Sequence, residues 1–259
     1  MIDALHISAS GLRSEQRQID VISNNVANMQ TPGFKRSRVN FVEVASASVS
    51  SADAGAAGPA PMQSRGDGTR VLSTSTHFAP GEMRMTGNPL DIAIAGSGFF
   101  ELEAEDGSLV YTRDGRFRVD AEGFLASVHG LRLAHGFQIP MDASDVVVAT
   151  DGEVSALLGQ DTERTVLGVI ELANFAAPDA LVALGDNRYA PNEQTGAASY
   201  GQPGDLGFGR LQQGRMEMAN VEMIDEMSAL VMAQRAYQLN ARVLQAADQV
   251  LETINNLRR

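Results

Sequence analysis

VEMIDEMSALVMAQRAYQLNARVLQAADQVLETINNL, Val221–Leu257, carries one row of large residues spaced by seven: Met223, Leu230, Tyr237, Leu244 and Leu251. A second row, Ala229, Ala236, Val243, Val250 and Leu257, lies beside it. This is the period of an amphipathic helix and not of a strand. Asn220 offers an N-cap side chain. Glu222, Asp225 and Glu226 suit the positive start of such a helix, and Arg258 and Arg259 its negative end. At 1.5 Å per residue the helix would be about 55 Å long, which predicts packing of the coiled-coil kind. A single helix cannot cover its own stripe, so the stripe implies a partner.

The other end of the chain supplies a matching pattern. Leu5, Leu12, Ile19 and Val26 are again spaced by seven, and Ile2, Ala9, Ile22 and Met29 widen the row. A helix over residues 3–28 is expected, with Asp3 as its N-cap. Gly11 weakens it by roughly 1 kcal/mol relative to alanine. The helix runs into "NNVANMQTPGFKR", Asn24–Arg36. Asn24, Asn25 and Asn28 can bond the free backbone groups of a helix end. Thr31, Pro32 and Gly33 then reverse the chain: proline cannot continue a helix, and glycine tolerates the left-handed conformation. Phe34 is placed to anchor the exit by packing.

Between the two helical ends the composition changes. Residues 44–69, "VASASVSSADAGAAGPAPMQSRGDGT", are small, polar and rich in glycine, and read as an extended linker. From residue 70 to residue 210 the pattern is that of short strands. Asp106-Gly107, Asp114-Gly115, Glu122-Gly123 and Asp151-Gly152 punctuate alternating runs, a strong hairpin signal. The expected fold is therefore α+β, with long N- and C-terminal helices paired as a coiled-coil-like domain and an all-β domain inserted between them. The expected domains are 1–43 with 211–259, the linker 44–69, and the β-rich body 70–210.

The bulk properties exclude several kinds of function. With no cysteine among 259 residues, disulfides, thiolate metal sites and thiol nucleophiles are ruled out. The net charge of −12 is uneven. Residues 1–40 carry five bases and three acids, residues 215–259 carry five bases and six acids, and the middle holds the acidic excess. An acidic body disfavours nucleic acid and anionic membrane as partners. No run of about 18 apolar residues is present for direct membrane insertion. The start, "MIDALHISASGLRSEQ", has neither the basic nor the apolar region of a cleavable secretory signal.

Candidate chemistry is sparse, and no catalytic, cofactor or metal site is expected. "GSGFF", Gly96–Phe100, lacks the third glycine and the following helix of a dinucleotide loop, and reads as a strand bend. Asp114, Asp120 and Glu122 lack the spacing and flanking helices of an EF-hand. His6, His77, His129 and His135 form no ligand motif. Arg65–Asp67 spells RGD inside the glycine-rich stretch, which leaves a secreted adhesin as a reading of a different class, beside an enzyme site in the β body. The methionines Met216, Met218, Met223, Met227 and Met232 suit either a core or an adaptable contact surface.

Three segments together resemble a known family. They are "SASGLRSEQRQIDVISNNVANMQTPGFKRSRVNF" (Ser8–Phe41), "GNPLDIAIAGSGFFELEAEDGSLVYTRDGRFRVDAEGFL" (Gly87–Leu125) and "GRLQQGRMEMANVEMIDEMSALVMAQRAYQLNARVLQAADQVLETINNLRR" (Gly209–Arg259). In that order, end to end, they resemble the bacterial flagellar rod and hook axial proteins. Length and "LQQGRMEMANV" look most like the distal-rod members, with proximal-rod members next. The resemblance implies a structural subunit without cofactors that polymerises helically into a hollow drive shaft across the periplasm. It implies as partners further copies of the chain, proximal rod and hook proteins, surrounding ring proteins, and the flagellar type III export apparatus. It also implies that the paired terminal helices line the inner tube while the β domain faces outward.

Overall fold

The computed structural model describes residues 2–48, 63–104, 106–159 and 163–257. These form two compact units, one comprising 1–26, 37–75 and 223–259, the other 27–36 and 76–222.

The first unit contains helix α1 (Ile2–Ala27), strands β1 (Ser37–Ser48) and β2 (Gln63–Thr76), and helix α2 (Met223–Leu257). Strands β1 and β2 pair as a two-stranded ribbon. The linker expected over 44–69 is thus strand at both described ends, while 49–62 lie outside the described residues. Asn40 reaches across the ribbon to the hydroxyls of Ser73 and Ser75 at 3.2 and 3.1 Å. Such cross-strand polar contacts let alanine- and serine-rich sequence form strands without an apolar core.

Two corrections concern the helix starts. Helix α1 begins at Ile2, so Asp3 lies within it. Helix α2 begins at Met223, two residues after the expected Val221, and Asn220 does not cap it. The Asn220 side chain has other partners. It accepts the Arg36 N–H at 2.7 Å and donates to His77 O and Ala79 O at 2.8 and 3.0 Å.

The second unit is built of short strands: β3 (Met83–Met85), β4 (Ile92–Ala95), β5 (Phe100–Glu103), β6 (Leu109–Thr112), β7 (Phe117–Val119), β8 (Leu125–Ser127), β9 (Arg132–Leu133), β10 (Ala143–Val148) and β11 (Glu153–Leu158). It continues with β12 (Arg164–Val169), β13 (Leu172–Asn174), β14 (Val182–Gly185), β15 (Arg188–Ala190), β16 (Ser199–Gly201), β17 (Arg210–Gln213) and β18 (Arg215–Glu217). Its largest sheet has the order β14-β15-β6-β5-β9-β8-β7, and a second has the order β10-β11-β12. Strands β17 and β18 return from late in the chain to pair with β4 and β3. The core beneath them is mainly aliphatic, centred on Ile92, Ile94, Leu102, Leu125, Val154, Leu172 and Leu211, with Phe100 against Phe117 edge to face.

The Asp106-Gly107, Glu122-Gly123 and Asp151-Gly152 dipeptides do join paired antiparallel strands. Asp114-Gly115 does not, because β6 and β7 are not neighbours in the sheet. There the chain passes close to β4: Ile92 N–H donates to Gly115 O at 2.9 Å, and a Cβ on Gly115 would lie 1.6 Å from Ile92 O. The glycine is needed for that approach and not for a hairpin. At "GSGFF" the chain bends between β4 and β5, with Gly96 and Gly98 at φ of 127° and 128°.

Candidate assembly face and the anchored chain ends

In the first unit the two helices run antiparallel. Asn25 Nδ2 lies 3.3 Å from Glu226 Oε2 near one end, and a Cβ on Gly11 would lie 2.8 Å from Asn240 Nδ2 further along. Both contacts are fourteen residues apart on each helix, in opposite chain order. Close approach is made by small or polar residues. Among the described residues, Ser8, Gly11, Ser14, Ile22 and Asn25 are the buried positions of α1, and Glu226 and Ala233 those of α2. The residues spaced by seven are less covered. Leu5, Leu12, Ile19 and Val26 are half-buried, as are Leu230 and Leu244, while Met223, Tyr237 and Leu251 are exposed.

Among the described residues, many apolar side chains of α2 are exposed. Ile224 is 80 % exposed, Met232 72 % and Leu239 62 %, and Met227, Val231, Val243 and Val250 are also exposed. A helix of water-soluble protein normally shows a polar face opposite its buried one. This one shows apolar residues on both.

Asn25 does more than end a helix. Its amide mimics a strand neighbour: Nδ2 donates to Ser37 O and Oδ1 accepts Ser37 N–H, each at 3.0 Å. The same Nδ2 faces Glu226, a fully buried carboxylate in the first turn of α2, where the helix start favours negative charge. Asn24 is exposed. Ser10 Oγ, bonded to Ile7 O, accepts the Thr69 N–H of the ribbon at 3.2 Å.

The remaining residues of the exit motif belong to the second unit. Thr31 folds back on Asn28 through its N–H to Asn28 O at 2.9 Å and its hydroxyl to Asn28 Oδ1 at 3.3 Å. Pro32 O accepts Asn187 Nδ2 at 2.9 Å. Gly33 sits at φ 73°, donates its N–H to Glu217 O at 2.8 Å, and leaves no space for a Cβ, which would meet Asp114 N at 2.7 Å. Phe34 is only half-buried.

Its neighbour Lys35, the sole lysine of the chain, is fully buried. Lys35 Nζ lies 2.6 Å from Glu217 Oε1 and donates to Ala79 O at 2.8 Å. Gly81 N–H also donates to Glu217 Oε1 at 2.8 Å. Arg113 completes the cluster: Nη1 is 3.6 Å from Glu217 Oε2, Nη2 donates to Gly96 O at 2.8 Å, and the guanidinium lies 5.2 Å from the Phe99 ring centroid. Burial pushes the Lys35 ammonium below the ordinary lysine value, with Glu217 pulling it back up and Arg113 adding to the fall. Burial likewise lowers Arg113.

The acids once weighed as calcium ligands are held by arginines: Asp114 by Arg116, and Asp120 and Glu122 by Arg132. Arg65–Asp67 lies within strand β2. Among the described residues no helix is long and apolar enough to cross a membrane.

Comparison with known proteins accounts for the chain from end to end. Residues 5–35 match the family described as flagella basal body rod protein, residues 93–156 the flagellar hook protein FlgE/F/G D1 domain, and residues 212–257 the flagellar basal body rod FlgEFG protein C-terminal region. Over 99 % of its length the chain is 36 % identical to the whole of the flagellar basal-body rod protein FlgG of Caulobacter vibrioides. It is 35 % identical to FlgG of Bacillus subtilis, and 28 % identical to the flagellar hook-basal body complex protein FlhP of that organism, over the full length of each.

The chain belongs to the flagellar basal-body rod family. Each of the three segments that carry the family match supplies one member of the buried cluster: Lys35 from the first, Arg113 from the second and Glu217 from the third. The rod-family match therefore covers residues that only the folded chain brings together. Sequence reading missed them because nothing in their spacing marks a lysine, an arginine and a glutamate as neighbours. The two available signals were a lone lysine and a glutamate set between Met216 and Met218.

Proposed function

We propose that this chain is a structural subunit of the flagellar rod, of the distal-rod kind, acting without catalysis. It polymerises helically with its own copies into a hollow shaft that carries torque from motor to hook. Its partners are other rod and hook proteins, and more finely the proximal rod, the hook, the rings around the rod and the type III export apparatus.

The observation that carries this reading is the doubly apolar α2. Its exposed face, including Ile224, Met232 and Leu239, is suited to burial by neighbouring copies as a coiled-coil-like layer of terminal helices. The full-length likeness to FlgG proteins supports the rod assignment. At about 25 cal/mol per Å², burial of such a face offsets the ordering of the helix ends, so assembly and ordering are coupled. Contacts of this head-to-tail kind do not close on themselves and give filaments.

Electron microscopy of the purified chain tests the proposal. Straight tubes are expected, together with loss of tubes in Met232→Asp and Leu239→Asp chains whose β unit still folds. Normal rods and motility in cells carrying both substitutions would refute the role of this face.

A further inference from the structure

With no cysteine in the chain, methionine supplies all of its sulfur. Five methionines are exposed among the described residues. Met85 and Met141 belong to the second unit, whereas Met223, Met227 and Met232 follow one another at the start of α2. Met216 and Met218, just before that helix, are half-buried instead. Exposed sulfur is thus concentrated where α2 shows its apolar residues to solvent.

Their spacing places them among those residues. Met223, Met227 and Val231 follow at intervals of four, with Ile224 three residues before Met227. Such intervals put side chains on one flank of a helix. Met232 lies about 140° round the helix from Met227 and shares its row with Leu239, seven residues on. Both exposed apolar flanks of α2 therefore carry a thioether. All three sulfur-bearing side chains reach solvent, Met232 most of all. An oxidant in solution has access to them, and methionine oxidation follows exposure.

We propose that Met223, Met227 and Met232 form an oxidation-sensitive site, at which a peroxide turns the thioethers into sulfoxides and stops the chain from joining a shaft. This rests on the self-assembly proposed above and supplies a control over it. At each methionine a sulfur lone pair attacks one peroxide oxygen. An S–O bond forms, the O–O bond breaks and sulfur loses two electrons. The departing hydroxide takes the proton from the new S–OH group and leaves as water. The product is polar where the thioether was apolar. Burying it in an apolar contact costs what an unpaired polar group costs. In the free chain the sulfoxides face water, so the fold is left as it was. Methionine sulfoxide reductases return the thioether, which makes the block reversible.

The test treats the purified full chain with hydrogen peroxide. Peptide mass spectrometry reads sulfoxide at each methionine, and sedimentation with electron microscopy reads the concentration needed for tubes. Oxidation of the three α2 methionines is expected to raise that concentration roughly 5- to 150-fold. The helix signal at 222 nm and the urea midpoint of the free chain should not change, and reductase treatment should restore assembly. Oxidised chains that assemble as readily as untreated ones overturn the inference. So does a block accompanied by loss of the helix signal, because the effect is then unfolding. A block that outlasts removal of the sulfoxides overturns it as well.

Leucine keeps the volume of methionine without its sulfur, which gives an independent readout. A chain with Met223→Leu, Met227→Leu and Met232→Leu is expected to form tubes at the ordinary concentration both before and after peroxide. A chain with Met85→Leu and Met141→Leu should remain as sensitive as the unaltered one. Sensitivity that survives the three leucines, or that vanishes with the other two, overturns the assignment. Where the three leucines themselves prevent tubes, reversal by reductase in the unaltered chain decides. Failure of the untreated, unaltered chain to form tubes overturns the assembly reading and this inference with it.

Discussion

Lys35 Nζ and Glu217 Oε1 stand 2.6 Å apart with both side chains fully buried, and they come from the two ends of the second unit's chain path. The pair closes a sequence separation of 182 residues. Its ammonium is further held by Ala79 O, and its carboxylate by Gly81 N–H and the nearby Arg113. Removing one partner leaves a buried charge without its counterpart, whereas removing both leaves only Arg113, whose guanidinium keeps its bond to Gly96 O. Lys35→Met or Glu217→Met alone is therefore expected to lower stability by about 3–5 kcal/mol. The double variant Lys35→Met/Glu217→Met should recover part of that loss, the remainder being the Arg113 charge left without Glu217. Urea unfolding of the three variants, read as a double-mutant cycle, measures the coupling. Additive losses would show that the pair does not act as a unit.

The same lysine sets a pH dependence. Its folded-state value is lowered by burial, so over the window between that value and the ordinary 10.5 the unfolded chain binds more protons than the folded one. Stability contributed by this group therefore rises with pH across that window, and the cost of its burial is present in full below it. Compared at each pH with Lys35→Met, the unaltered protein should gain stability as pH is raised towards 10.5. With a single lysine in the chain, its own carbon resonance gives the titration without overlap. A midpoint at or above 10.5 would contradict the assignment.

Gly33 has two independent reasons to be glycine. It lies at φ 73°, and a Cβ would press on the Asp114 backbone at 2.7–2.8 Å. The left-handed conformation costs a non-glycine residue about 1–2 kcal/mol, and overpacking against backbone a further 1–3 kcal/mol. Gly33→Ala is expected to destabilise the second unit by about 2–5 kcal/mol in thermal or urea unfolding. A change below about 1 kcal/mol would mean that the turn relaxes freely.

The helical ends and the β body were legible because hydrophobic period and turn dipeptides are local signals. Val26 and Leu244 announce helices through residues seven away, and Asp106-Gly107 announces a hairpin through itself. What was illegible depended on contacts distant in sequence. Asn220 looked like a cap because the residues after it were helical, yet Arg36 and His77 claim its side chain. Asp114-Gly115 looked like a hairpin because its dipeptide does, yet Gly115 is reserved for the approach of Ile92. The stretch 44–69 read as linker because composition carries no record of Asn40 meeting Ser73 and Ser75. Lys35 was overlooked for its aromatic neighbour, since burial of an ammonium becomes tolerable only once Glu217 is beside it.

Asn25 offers the most discriminating substitution in the first unit. Its amide donates to Ser37 O and faces Glu226 Oε2, while its carbonyl accepts Ser37 N–H. Asn25→Asp keeps the shape and the acceptor, but it removes the donor and sets a second carboxylate against a fully buried one. Asn25→Ala removes the hydrogen bonds without adding charge. The aspartate is therefore expected to be the worse of the two at neutral pH, costing about 3–5 kcal/mol against about 1–3 kcal/mol for alanine. Two carboxyls that close cannot both stay ionised easily, so on acidification one takes up a proton and can again donate a hydrogen bond. The deficit of Asn25→Asp should shrink as pH falls, and that of Asn25→Ala should not. Joining Asn25→Asp with Glu226→Gln removes the repulsion and should recover part of the loss at neutral pH. Helix content at 222 nm followed through urea unfolding at several pH values reads all four chains. Equal losses for aspartate and alanine at every pH would show that Glu226 does not feel residue 25.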